Sequence, residues 1–337
     1  MHEFGIIKRA GCERMATVFL QAIGMAAVFD SVYKHFLVGG SSMISRVYAV
    51  YFSPAGSTGA VAEHIAGTIA GKCNLPCKVI DFTLPKMRKE QYSFDENDLV
   101  IFGMPTYAGR IPNKALPFVQ TLFEGNGALA VSLVTFGNRS FDSSLTELTQ
   151  ELSTRGFRVV AAGAWVCRHV FSHKIAAGRP DALDRAEMDV FADEVFRRLT
   201  SLDADGGRRS KTLDVDRGQC SKESAEEEWK SPVIRGGEPV APYYIPKGED
   251  GEPAKFLKAK PLTDTAKCTN CGICAEVCPM GSVSKENYAD VPGICIKCQA
   301  CVLKCPEGAK YWDDAAFLSH VRMLESNFTD RKEPEWY

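Results

Sequence analysis

The sequence predicts an α/β protein, a five-stranded doubly wound parallel sheet followed by a small α+β unit organised by cysteines. Three observations carry this expectation. Short β-prone apolar runs alternate with segments of helical periodicity over residues 46–202. A loop rich in Gly, Ser and Thr closes the first of those runs. Eight of the 13 cysteines fall between Cys268 and Cys305, in two regular runs.

Composition narrows the classes. The chain has 337 residues, 45% hydrophobic and 24% charged, as expected of a folded chain of about two domains. Forty Lys and Arg against 42 Asp and Glu leave a net charge of −2. No basic excess exists to neutralise phosphates, so nucleic acid is not an expected partner. Cysteines clustered in C-x-x-C runs point to metal in a reducing, cytoplasmic compartment, not to a disulfide-stapled secreted fold.

Residues 1–45 form an N-terminal extension. Lys8, Arg9 and Arg14 precede an apolar stretch, Met15 to Phe29, of 15 residues. A spanning helix needs about 20. The charge order is that of a signal peptide, but no clear A-x-A site follows. A start at Met43 or a loosely attached helix is the preferred reading; export or membrane attachment stays open. No other apolar run approaches membrane length, so no membrane span is expected.

The first domain is expected over 46–202. Val47–Phe52, Lys78–Phe82, Asp98–Phe102, Gly127–Phe136 and Arg158–Val166 read as strands. Helices are expected over Ala60–Lys72, Pro112–Phe123, Ser143–Leu152 and Asp184–Leu199, with Val61, Ile65 and Ile69 marking one face of the first. Ligands on such sheets bind outside the carboxyl ends of the strands.

The first strand end carries Ser53, Ala55, Gly56, Ser57, Thr58 and Gly59, opening directly into a helix. Glycines admit a close ligand, and hydroxyls with the free helix-start amides make an anion cradle. It lacks the Lys of a nucleotide-hydrolase loop and the G-x-G-x-x-G of a dinucleotide fold. A plain turn with a Ser/Thr helix cap is the alternative for this loop alone. Two further strand ends carry Pro105, Thr106, Tyr107, Gly109 and Arg110, and then Phe136, Gly137, Asn138 and Phe141. Three such loops at one sheet edge suit a flat aromatic ligand, with Tyr107 the candidate to stack on it; lid packing is the plainer role for Tyr107 and Phe141.

On these residues the region resembles the flavodoxins, whose phosphate loop reads T/S-x-T-G-x-T. Ser53, Gly56 and Thr58 match, and Ala55 replaces the middle Thr. The resemblance implies that Ser53 to Gly59 hold the phosphate of FMN and that the loops at 105–110 and 135–141 enclose its ring.

Residues 203–260 are expected to be a linker. Its first half is polar with Gly206 and Gly207; its second holds six prolines up to Pro261, with Trp229, Tyr243 and Tyr244 as possible anchors. The second domain, 261–312, repeats C-x2-C-x2-C-x3-C-P, the run of bacterial proteins with two [4Fe–4S] clusters, in which the fourth cysteine of each run serves the other cluster. Cys268, Cys271, Cys274 and Cys305 are then expected on the first cluster, and Cys295, Cys298, Cys301 and Cys278 on the second. Zinc is disfavoured, because the third C-x2 step crowds a tetrahedral knuckle. The segment resembles bacterial ferredoxins at all eight positions. Residues 313–337 are left as a C-terminal helix and tail.

Other residues draw attention with less cause. Cys73, Cys77 and Cys167 read as thiols outside any ligand set, Cys220 as incidental, and His169 and His173 as loop histidines near the sheet edge. Arg179 is a candidate to reach the flavin or the other domain.

The arrangement resembles flavodoxin–ferredoxin fusion proteins. It implies an iron–sulfur flavoprotein carrying electrons between low-potential one-electron donors and FMN or an acceptor oxidoreductase. The alternative is an FMN-dependent reductase of a small acceptor, fed through the clusters. No nicotinamide site is visible, and a redox-sensing regulator lacks a helix-turn-helix or basic patch.

Overall fold

The computed structural model describes residues 44–204, 229–235 and 237–337. The N-terminal stretch with Met15–Phe29, the Gly206-Gly207 pair and Cys220 lie outside the described residues. Ile44 to Tyr337 form one compact unit that includes the cysteine region.

The chain runs β1 (Arg46–Tyr51), α1 (Ser57–Lys72), β2 (Cys77–Asp81), a 3-10 turn at Pro85–Arg88, β3 (Tyr92–Ser93) and β4 (Asp98–Pro105). It continues with α2 (Leu116–Leu122), β5 (Phe123–Glu124), β6 (Leu129–Phe136), α3 (Ser144–Thr154), β7 (Arg158–Val166) and α4 (Ala182–Ala204). The main sheet has the order β10-β7-β6-β4-β1-β2, with β10 the short strand Glu335–Trp336. Its five long strands are parallel, and the chain reverses its direction of travel between β1 and β4. Every residue of β4 and β6 is buried, because helices cover both sheet faces. On one face Phe82 packs between Phe52, Phe102 and Phe123, with centroids 5.9, 5.8 and 5.0 Å away. On the other, Trp165 meets Phe191 of α4 at 5.7 Å.

Two expectations need correcting. The second helix was expected from Pro112 to Phe123 but covers only Leu116–Leu122. Residues 112–115 form a turn, with the amides of Ala115 and Leu116 donating to the Pro112 carbonyl, and Phe123 leaves to pair with Tyr92. The sheet also has a sixth strand. β10 (Glu335–Trp336) adds antiparallel to β7, and Trp336 packs on Phe191 at 5.6 Å.

The cysteine region runs β8 (Leu262–Thr263), α5 (Ile273–Glu276), α6 (Ala300–Leu303) and β9 (Lys310–Tyr311), before α7 (Ala315–Asn327). Residues 229–260 lie along the first domain. The Trp229 indole donates to the Val159 carbonyl (3.1 Å), Tyr243 Oη to Ile111 (2.8 Å), and the Tyr244 amide to Ala108 (2.8 Å). Helix α7, capped by the Asp314 carboxylate, buries Phe317 against Phe171 (4.9 Å) and Phe256 (5.5 Å). The sheet's carboxyl edge is therefore roofed by the linker and α7.

Candidate functional site

The site begins where β1 ends. Gly56 sits at φ 93°, a left-handed conformation that costs glycine little and turns the chain into α1. The Ser53 Oγ accepts the Gly59 amide at 2.9 Å, and the Ser53 amide donates to Thr83 Oγ1 at 2.7 Å. Thr58 Oγ1 pairs with Thr135 Oγ1 at 2.7 Å, tying the loop after β1 to the end of β6. The loop is thus preorganised around its own hydroxyls.

A cleft of about 240 Å³ lies over this edge. Ser53, Ala55, Ser57 and Thr58 line it from the first loop, and Pro105, Thr106, Tyr107 and Gly109 from the second. Phe136 and Gly137 line it from the third. Gly137 is obligatory, because a Cβ there would stand 2.4 Å from His169 Cδ2.

Four expected site residues do other work. Arg110 turns away, pairing with the Glu147 carboxylate and stacking on Tyr243 at 4.8 Å. Asn138 Nδ2 donates to the carbonyls of Phe328 (2.7 Å) and Asp330 (2.8 Å), holding the C-terminal tail. Phe141 packs on Phe136 at 5.5 Å beneath the loop. Gly59 gives its amide to Ser53. Arg179 reaches neither cleft nor cysteines; it is buried against Asp184 and the Lys332 carbonyl.

The far wall was not legible in the sequence. It comes from Phe171, from Phe256 of the linker, from His320 and Leu324 of α7, and from Ile296 and Lys297 between two cysteines. His169 lines the cleft too. Its Nδ1 accepts the Phe171 amide at 3.1 Å, and enclosure, with His320 and Arg139 facing it, pushes its pKa down to about 4. It is a neutral imidazole whose proton sits on Nε2. His320 Nδ1 bonds the Lys247 carbonyl at 2.7 Å, and burial lowers this group also. The Tyr107 hydroxyl is driven well above its ordinary pKa by burial and then by the nearby Cys298 and Cys295 sulfurs. Tyr107 therefore stands between the cleft and the cysteines.

The cysteines line two further cavities. One is lined by Cys268, Cys271, Cys274 and Cys305, the other by Cys278, Cys295, Cys298 and Cys301. Each quartet takes three members from one run and its fourth from the other. Among the described residues no three His, Cys, Asp or Glu side chains converge on a single-ion geometry. Four sulfurs around a hollow suit an inorganic cluster of several atoms better than one tetrahedral ion. Backbone amides point at the fourth sulfurs, Ser282 to Cys278 Sγ (3.2 Å) and Ala309 to Cys305 Sγ (3.3 Å). Cys73 and Cys167 stay outside both sets, with burial pushing their thiols up to about 11 and about 12.

Two family models match the chain, a flavodoxin domain at residues 48–151 and a 4Fe–4S dicluster domain at 267–310. No curated protein matches. Among solved structures, a flavodoxin from the domain Archaea is 17% identical, covering 46% of this chain and 99% of that one, with a TM-score of 0.33. Rubredoxin oxygen:oxidoreductase from Desulfovibrio gigas is 18% identical over 47% of this chain and 37% of that one, TM-score 0.33. An NADH:FMN oxidoreductase is 16% identical over 46% and 89%, TM-score 0.33. The family models and the strand order make the chain an electron-transfer iron–sulfur flavoprotein, a flavodoxin domain followed by a ferredoxin-type one.

Proposed function

We propose that this protein carries electrons between a low-potential donor and an acceptor oxidoreductase, through two [4Fe–4S] clusters and one FMN held in a fixed arrangement. The observation that supports this most is the position of Ile296 and Lys297. They lie between Cys295 and Cys298 and also line the cleft beside the Ser53–Gly59 loop. The second quartet is then the one nearest the flavin, while Cys271 of the first is exposed to external partners.

When bound, the clusters exchange one electron each and FMN one or two. The protein's own groups set the conditions. The amides opening α1 and the hydroxyls of Ser53, Ser57 and Thr58 receive the phosphate. Tyr107 and the 136–137 loop hold the ring, and Phe171, Phe256 and Leu324 exclude water from it. Among the described residues no helix is long and apolar enough to cross a membrane. We place the protein in the reducing cytoplasm on its cysteine usage.

One observation favours reduction of a small acceptor in the same cleft. His169 and His320 are neutral there, and among the described residues neither Nε2 has a protein partner. Each is available to a ligand oxygen or to a proton.

The test is anaerobic stopped-flow reduction of the holoprotein by a reduced external ferredoxin. About eight irons and one FMN per chain are expected, with cluster bleaching ahead of flavin bleaching. A Cys301→Ser variant lacking the second cluster should reduce its flavin at least tenfold more slowly. An unchanged rate would overturn the reading. Ser53→Ala with Thr58→Ala should weaken FMN, at about 1.5–3 kcal/mol for each hydroxyl bonded to phosphate; extraction of FAD instead would refute the single-phosphate cradle.

A further inference from the structure

Three buried side-chain polar atoms lack a hydrogen-bond partner among the described residues: Thr146 Oγ1, Trp165 Nε1 and Thr263 Oγ1. Of these residues only Thr263 lines a cysteine cavity, the one formed by Cys268, Cys271, Cys274 and Cys305. Its placement follows from the strand. Leu262–Thr263 pairs antiparallel with Lys310–Tyr311, with Thr263 opposite Lys310. Leu262 and Tyr311 are 46% and 42% exposed, so the pleat turns Thr263 and Lys310 to the other side. Lys310 is 3% exposed and lines the same cavity, its Nζ spent on the Tyr288 carbonyl at 2.5 Å.

A buried hydroxyl without a partner costs about 1–3 kcal/mol, which argues for a partner the protein itself does not supply. Among the described residues the second cavity has no such group. Its hydroxyl, Ser282 Oγ, donates to the Ile294 carbonyl, and its Gln299 side chain accepts the Trp312 indole N–H at 2.7 Å. The two halves repeat one sequence pattern, yet among the described residues only the first has a fully buried, unpartnered hydroxyl lining its hollow.

We propose that the Thr263 hydroxyl donates a hydrogen bond to an inorganic sulfide of the first cluster and raises that cluster's reduction potential above the value its ligands alone would set. This rests on the two-cluster reading. Reduction adds negative charge to the sulfurs, so a donor aimed at them stabilises the reduced state more than the oxidised one. Thr263 is in this sense a positioning residue; it ligates nothing. An electron arriving on the exposed Cys271 side is held there more firmly than the sequence repeat implies.

The experiment is an EPR-monitored redox titration of the anaerobically purified full chain, with iron and sulfide assayed in parallel. Thr263→Val keeps the shape and removes the donor. At a fixed potential, the reduced-to-oxidised ratio of the first cluster should fall about tenfold, a downward shift of about 59 mV for one electron. The second cluster should not move, and Thr263→Ser should restore the wild-type value. Thr263→Ala gives the same reading should the valine variant load poorly. Unchanged potentials at full iron content, or an equal shift of both clusters, would overturn the proposal. A wild-type chain without two four-iron signals would instead sink the cluster reading on which it stands.

Discussion

The two cysteine runs share one sequence pattern and one backbone, and differ in what surrounds them. Asn270 and Lys297 have φ of 57° and 59°, Gly272 and Gln299 of 79° and 63°, and Gly281 and Gly308 of 58° each. Glycine suits the second of these pairs; Gln299 holds the same conformation with its side chain bound to Trp312. Yet Cys271 is exposed while Cys298 is buried, against a cavity that Trp312 also lines. The first half faces outward. The second is shut between the flavodoxin sheet and α7, next to Tyr107. Local spacing makes two equivalent cysteine quartets, and only packing sets one beside the cleft at the Ser53–Gly59 loop and the other away from it.

The largest test of this contrast is the crossed fourth ligand. Cys278→Ser should strip the second cluster and leave the first, halving the iron content from about eight to about four. Cys278 lines the second cavity although the other three cysteines of its run, Cys268, Cys271 and Cys274, line the first. Spectra showing loss of the first cluster alone would break the comparison.

A second effect concerns stability near the cleft. His169 has a folded pKa near 4 against about 6.5 unfolded. The unfolded chain therefore binds the proton first as pH falls. The stability from keeping this imidazole neutral is complete above about pH 6.5 and is lost progressively down to about 4, at about 3 kcal/mol in all. His320 and the Arg139 guanidinium deepen the shift by facing the ring. Urea midpoints between pH 7 and 4.5 should show the slope, and His169→Gln should flatten it. An equal slope in the variant would place the titration elsewhere.

The smallest expected effect lies at the seam between the domains. Arg88, from the turn after β2, donates to the Pro279 carbonyl and to the Thr83 carbonyl (2.6 Å), and sits over the Phe118 ring at 4.3 Å. Arg88→Ala leaves the Pro279 carbonyl without this donor beside a ligand of the second cluster. A loss of about 1–2 kcal/mol in chemical unfolding is expected, with a changed potential at the second cluster only. A shift at the first cluster would contradict the assignment of Cys278.

Much of this architecture was legible in the residues because it is local. Strand and helix periods over 46–202 reflect alternate burial, which each segment encodes for itself. The Ser53–Gly59 turn is specified by its own glycine and hydroxyls, and the cysteine quartets by ligand spacing along short loops. Other features depend on residues far apart in the chain, and no window of sequence contains both partners. Arg110 looked free for the ring loop until Glu147, 37 positions on, took its guanidinium. Asn138 looked like a flavin ligand but serves the tail 190 positions away. Strand β10 is two residues long and exists only because β7 offers an edge to pair with. The far wall of the cleft, Phe171 with Phe256 and His320, is assembled from three separate segments. The sequence by itself determined which chemistries this chain can hold, because cradle and ligand spacings are properties of short stretches. Only the tertiary structure decided which cysteine quartet meets the cleft and what roofs it, because those are matters of packing between surfaces that share no local pattern.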